Sequence, residues 1–286
     1  MIKLAVFGQP IAQSLSPTIH WRFAAQFGLE IDYRAIESSV EDFPAKVKSL
    51  ADSGALGCNI TAPLKRAAFE AAQQLSPEAE LAQAVNTLVF RKPRNWFGTT
   101  TDGGGLLRDL QRLIPAEQGS GLGSGQGSSL AGKRLLVIGA GGAAAGVIMP
   151  LLQQTPASLV IANRDVAKAE ALAERFSAFG KADACALTDC DKHGPFDLLI
   201  NATTLGHQGI APELADGCFA PSSFCYDLNY GPAAKAWKSV CTQRGLSFSD
   251  GLGMLVEQAA LSFELWTGHA PATTSVLADL RKRLAV

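Results

Sequence analysis

The first hundred residues alternate between two hydrophobic rhythms. KLAVFG, IDYRAIE, GALGCNI and AVNTLVF are short runs of the length and β-branched content expected of strands. Between them SPTIHWRFAAQFG, FPAKVKSLAD and KRAAFEAAQQL space their apolar residues as helices do. In the first of these, Ile19, Phe23 and Phe27 fall on one face at i, i+4 and i+8. Strands separated by helical segments imply βαβ units and a largely parallel sheet. A helix follows in GGGLLRDLQRLI, and then a Gly/Ser-rich run over 116–132 with almost nothing to bury, expected to be a tolerated surface loop. A fresh alternation begins after it. KRLLVIG, SLVIANR, DACAL, FDLLINAT and FCYDLNY read as strands, with helices in AAAGVIMPLLQQ and VAKAEALAERFSAFG. Two helical patterns, GMLVEQAALSFELWTG and SVLADLRKRL, complete it. The expectation is an α/β protein in two domains, an N-terminal α/β domain and a Rossmann-like, doubly wound second one.

Composition narrows the classes of function. A formal charge of −1 gives no global reason to expect a nucleic-acid or membrane partner. MIKLAVFGQPIAQS lacks the apolar core of a signal peptide, and runs such as LLVIGA are too short to span a bilayer. The six cysteines include no CxxC pair, so reduced thiols in or near a core are expected. His20, His193, His207 and His269 lack metal-ligand spacing and take no role. The chain reads as a soluble, cytoplasmic protein without a metal.

Two stretches carry chemistry. In RLLVIGAGGAAAG a strand passes into a helix through Gly139, Gly141, Gly142 and Ala144, which fits the dinucleotide-binding pattern G-x-G-x-x-G/A. The glycines allow a tight turn, so that a pyrophosphate can approach the helix N-terminus. At the end of the next strand Arg164 stands where an acidic residue would select NAD, with Lys168 four residues on and Asp165 between them. A guanidinium at this place can take the 2′-phosphate of NADP. The other stretch is NITAPLK. Thr61 comes two residues before Pro63 and Lys65 two after it, and proline turns the chain out of a sheet. A hydroxyl and an ammonium thus flank a strand exit.

QSLSPTIH, NITAPLK, AVNT, TTDGGG, GAGGAAAG, NATTLG, YDLNYGP and GLGMLVEQA occur together in an order that resembles the shikimate dehydrogenases over nearly the whole chain. The resemblance implies a substrate domain of residues 1–104 completed by 251–286, and an NADP domain over 105–250. It implies reversible reduction of 3-dehydroshikimate to shikimate in the formation of aromatic amino acids and chorismate. The substrate contacts it carries over are Ser14, Ser16, Thr61, Lys65, Asn86, Asp102, Tyr230 and Gln258. Ser14, Ser16 and Tyr230 are expected at the carboxylate and the others at the hydroxyls. The cofactor contacts are Gly139, Ala140, Gly141, Gly142, Ala143, Asn163, Arg164, Lys168, Thr203, Leu228 and Gly251. Lys65 is the expected acid and base, with Asp102 orienting it, although the reversed roles are open to the same two groups. Taken singly, several of these residues have plainer readings: Ser16 as a helix cap, Tyr230 as a turn aromatic, Gln258 as a helix-surface amide, Asp102 as a cap. Gln83 stands where the family usually has a glycine before AVNT. An NAD-dependent quinate/shikimate dehydrogenase and a non-catalytic metabolite-binding regulator are the alternatives, acting as monomer or homodimer.

Overall fold

The computed structural model describes residues 1–91, 95–114 and 130–284. Most of the Gly/Ser-rich run, up to residue 129, lies outside the described residues. Two compact units emerge: Met1–Gly105 with the stretch beginning at Leu255, and Leu106–Met254.

The first unit is built on a six-stranded sheet of β1 (Ile2–Gly8), β2 (Ile31–Glu37), β3 (Gly57–Ile60), β4 (Gln74–Leu75), β5 (Thr87–Arg91) and β6 (Asn95–Thr99), in the order β2-β1-β3-β5-β6-β4. Its helices are α1 (Ser16–Gln26), α2 (Phe43–Asp52), α3 (Lys65–Ala71) and α4 (Pro77–Ala82), with α5 (Asp102–Leu113) beginning in it. β1 pairs in parallel with β2 and β3, but β5 runs antiparallel to both β3 and β6. The sheet is therefore mixed rather than largely parallel. Only residues 92–94 separate β5 from β6, far too few for the crossover that a parallel pair needs. The strand NWFGT escapes the hydrophobic pattern because Asn95 and Gly98 interrupt it.

Alternation along β1 divides the apolar residues between two faces. Ala5 and Phe7 pack with Phe43, Val47, Leu64 and Val85, while Leu4 and Val6 pack with Ile11, Tyr33 and Trp266. Ile19 and Phe23 are fully buried on α1, whereas Phe27 lies beyond the helix end and is 36% exposed.

In the second unit β7 (Arg134–Ile138), β8 (Ser158–Asn163), β9 (Ala182–Ala186), β10 (Phe196–Asn201), β11 (Phe219–Asp227) and β12 (Ser247–Ser249) form a sheet ordered β12-β11-β10-β7-β8-β9. Every pairing in it is parallel. With α6 (Gly142–Leu152), α7 (Val166–Arg175) and α8 (Lys235–Gln243), this is the doubly wound arrangement expected. β7, β8 and β10 are nearly continuous apolar runs because such sheets are covered on both faces. α8 escapes the hydrophobic pattern because it buries only Trp237 and Cys241, too few anchors to show a period. Two C-terminal helices, α9 (Leu252–Thr267) and α10 (Thr274–Leu284), complete the list of elements. All six cysteines are buried free thiols. Cys185, Cys190, Cys218, Cys225 and Cys241 share the second unit's core, and Cys58 lies in the first. Among the described residues no helix is long and apolar enough to cross a membrane.

Candidate active site

β3 ends one residue before Thr61, whose amide donates to the Phe7 carbonyl at 2.8 Å. The Ala62–Pro63 bond is cis, the Leu64 amide returns to the Thr61 carbonyl, and α3 starts at Lys65. NITAPLK is thus a strand exit that delivers Lys65 at a helix start. The chain reaches Asp102 in a parallel manner, leaving β6 at Thr99 and opening α5 three residues later.

These two starts meet. Lys65 Nζ donates to Asp102 Oδ2 at 2.5 Å, with only 18% and 9% of the two side chains exposed. Both charges are partly removed from water, so the pairing satisfies groups that would otherwise be costly to bury. Asn86, just before β5, donates from Nδ2 to the other carboxylate oxygen at 2.8 Å and faces Gln258 Oε1 at 3.2 Å. The amide of Thr101 donates to Asn86 Oδ1 at 2.9 Å, which fixes which end of the Asn86 amide faces Asp102. α9 brings Gln258 against the start of α5, where a Cβ on Gly105 would stand 2.7 Å from the Gln258 backbone nitrogen. A Cβ on Gly104 would likewise stand 2.8 Å from Leu261 Cδ1, so Gly104 and Gly105 serve close approach. Gln258 is 8% exposed, so it is a buried member of the cluster rather than a surface amide.

Of the remaining candidates in this unit, Ser16 is buried within α1 and the N-cap is Leu15, which corrects the cap reading. The Ser16 amide donates to Ser14 Oγ at 3.3 Å. Thr61 is exposed at the strand exit. Lys65, Asn86, Asp102 and Gln258 touch one another; Ser14 and Ser16 form a second pair. Tyr230 belongs to the other unit, half-buried, with burial raising its phenol pKa.

In the second unit β7 enters the glycine turn. Gly139 adopts φ +109, open to glycine but strained for other residues. Gly141 is exposed, and a Cβ there would meet nothing within 4 Å, so the start of α6 is open to a ligand phosphate. Ala140 and Ala143 are half-buried beside it. The turn lies between β7 and β10, where the strand order reverses, the usual place for a dinucleotide. Thr203 follows β10 and donates to Asn201 Oδ1 at 2.7 Å. The Leu228 amide donates to the Asn201 carbonyl, and the Gly251 amide to the Asn229 carbonyl, both at 2.9 Å. Thr203, Leu228 and Gly251 thus gather around the carboxyl ends of β10, β11 and β12. Asp227, among them, has its pKa raised to about 6 by burial. At the tip of β8, Asn163 is half-buried and Arg164 exposed. Lys168 Nζ lies 3.5 Å from Asp165 Oδ2, so the acidic neighbour is paired with a cation. These residues fit a nicotinamide dinucleotide.

The sequence reading missed Asn59, Thr87, Thr101 and Ser262, all buried and hydrogen-bonded around Asn86. Asn59 and Thr87 show only as polar residues inside apolar strands, GCNI and TLVFR, while Thr101 stands in the link before α5 and Ser262 on α9.

Comparison with known proteins bears on the family of the chain. Residues 6–88 match the family described as shikimate dehydrogenase substrate binding domain. Residues 122–222 match shikimate / quinate 5-dehydrogenase, and 251–281 the shikimate 5'-dehydrogenase C-terminal domain. The chain is similar to the shikimate dehydrogenase (NADP(+)) of Ruthia magnifica subsp. Calyptogena magnifica, 42% identical over 98% of this chain and 100% of that protein. Among solved structures, an Ael1 enzyme from Pseudomonas putida superposes with a TM-score of 0.86, 36% identity and 98% coverage of both chains. Shikimate 5-dehydrogenase from Thermus thermophilus, in complex with NADP(H) and shikimate, gives 0.83 at 33% identity, covering 99% of this chain and 100% of that one.

Proposed function

The chain belongs to the shikimate dehydrogenase family, and from that premise we propose that it interconverts 3-dehydroshikimate and shikimate with NADP(H). The observation that carries the reading is the Lys65–Asp102 pair at 2.5 Å with Asn86 and Gln258 converging on it. Residues 1–104 with 251–286 hold the substrate, and 105–250 hold the cofactor.

Shikimate is a small acid with three hydroxyls, and such a molecule needs many short polar side chains around it. Ser14 and Ser16 bind its carboxylate; Thr61, Asn86 and Gln258 take the hydroxyls. Lys65 holds the proton that moves. In reduction, Nζ gives it to the substrate carbonyl oxygen, which ends as the C3 hydroxyl; in oxidation Nζ takes it back. Asp102 accepts from Nζ and keeps it aimed at that oxygen. Gly139, Ala140, Gly141, Gly142 and Ala143 receive the pyrophosphate. Asn163, Arg164 and Lys168 receive the adenosine ribose with its phosphate, and Thr203, Leu228 and Gly251 lie toward the nicotinamide. When bound, the dinucleotide supplies the hydride donor or acceptor.

The test is initial rates of purified protein with shikimate or quinate and NADP or NAD. Shikimate with NADP should give the highest kcat/KM. A higher value with quinate and NAD would move the protein to the NAD-using alternative, and no turnover with any pair would favour a regulator. We take it to work in the cytoplasm as a monomer or homodimer, which light scattering on the same sample distinguishes.

A further inference from the structure

His20, Tyr33 and Asn59 form a buried polar cluster for which the mechanism above has no use. His20 is fully buried between Phe23, Tyr33, Phe263 and Trp266, its ring stacked on Tyr33 at 4.3 Å. Its Nδ1 has no hydrogen-bond partner. An imidazole with one nitrogen unsatisfied in an apolar site is costly, so the other nitrogen is where a reason for it must lie.

One atom sets the polarity of the cluster. Asn59 Nδ2 faces the main-chain carbonyl of Asn86 at 3.2 Å, and a carbonyl only accepts. Asn59 Oδ1 therefore faces His20 Nε2 at 3.2 Å and the Tyr33 hydroxyl at 2.7 Å, and both must donate. On its far side, Asn59 Nδ2 lies 3.2 Å from Thr87 Oγ1 and 3.0 Å from Ser262 Oγ. The Ser262 hydroxyl can give its hydrogen to the Gln258 carbonyl at 3.0 Å. Thr87 then gives its own to Asn86 Oδ1 at 2.9 Å, beside the Thr101 amide. Asn86 Nδ2 points away from both, at Asp102. Every donor in the series Tyr33, Asn59, Thr87, Asn86 faces the same way. A cluster that served only to fill the core would need its hydrogen bonds satisfied but would not need them aligned.

We infer that Thr87, backed by Asn59, His20 and Tyr33, is a positioning residue: it orients the Asn86 amide so that Asp102 holds Lys65 Nζ in a single place. The inference rests on reading Lys65 and Asp102 as the reacting pair.

Thr87→Val keeps the shape and removes the hydroxyl; Thr87→Ser keeps the hydroxyl and removes a methyl. With shikimate and NADP, Thr87→Val should lower kcat about tenfold, the effect of one well-placed hydrogen bond, with KM for NADP unchanged. Thr87→Ser should stay within about twofold of wild type, because the hydrogen bond is retained. In an Asp102→Asn background Thr87→Val should have no further effect, since both act through one carboxylate. At the far end, His20→Phe should lower kcat about threefold, and His20→Gln, whose Nε2 reaches the same oxygen, should restore it. That pair decides the matter if Thr87→Val does not fold. The inference is overturned if Thr87→Val has wild-type kcat, if Val and Ser lose kcat together, or if the loss is fully additive with Asp102→Asn. Should Asp102→Asn itself keep kcat, the reading of the reacting pair fails instead, and the Val–Ser contrast still reports on Thr87.

Discussion

In the first unit Lys65, Asn86, Asp102 and Gln258 are held by side chains bonded to other side chains. In the second, the turn after β7 is held by the path of the main chain, through Gly139 at φ +109 and the open start of α6. Proton transfer needs a few atoms fixed in direction, and a network of amides and hydroxyls does that. Binding a pyrophosphate needs a row of N–H groups free of side-chain obstruction, and glycine supplies that. One region is specific because it is crowded, the other because it is bare.

The largest break in that comparison is expected from Lys65→Ala. Removing the proton carrier should lower kcat by about 10² to 10⁴-fold while dinucleotide affinity, measured by fluorescence titration, stays near wild type. Equal losses in both would mean that Lys65 is structural. Next comes Arg164→Ala in the other unit. It should weaken NADP by roughly ten- to a hundredfold and leave NAD and kcat almost unchanged, since hydrogen bonds to charged groups are worth about 1.5–3 kcal/mol. An unchanged NADP/NAD ratio would remove Arg164 from the phosphate site.

Acidity should separate the two regions by sign. Burial lowers the His20 pKa to about 3 from an ordinary value near 6.5. Between those values the unfolded chain binds the extra proton, so His20 makes stability fall as pH drops, by up to about 1.4 kcal/mol per pH unit. Asp227 does the reverse. Its pKa is raised from 3.8 to about 6, so the folded state binds the extra proton and stability falls as pH rises through that window. Urea unfolding from pH 4 to 7 on His20→Gln and Asp227→Asn, each against wild type, should give difference slopes of opposite sign. Slopes of the same sign would contradict the environment assigned to one of the two. The smallest effect is expected at Gln83, which sits at φ 50 and ψ 36 at the end of α4. Gln83→Gly relieves a left-handed conformation and loses an exposed bond from Arg66, for a net gain of roughly 0.5–1 kcal/mol. A raised urea midpoint with unchanged slope would show it; a lowered one would mean the Arg66 bond outweighs the strain.

The same contrast explains what could be read in the sequence. GAGGAA announces its turn because a main-chain requirement is local, and its residues lie together along the chain. Lys65 and Asp102 are 37 positions apart, and nothing near either one points to the other. Their pairing came only from the likeness of whole motifs to a family. Asn59 and Thr87 were silent, because a polar residue in an apolar strand is visible but its partners are not, and Ser262 is one hydroxyl on a helix. β6 was hidden by Asn95 and Gly98, and with it the antiparallel half of the first sheet. Gln83, in the family's glycine position, does occupy a left-handed turn, a case where a departure noted in the sequence has a measurable physical counterpart.

The distribution of thiols makes the protein its own recorder of opening events. All six are buried, five in the second unit's core and Cys58 alone in the first. A thiol reagent in excess should modify the native chain only as fast as each core opens. The order in which the five and the one become labelled would then time the breathing of each unit separately, without any added probe.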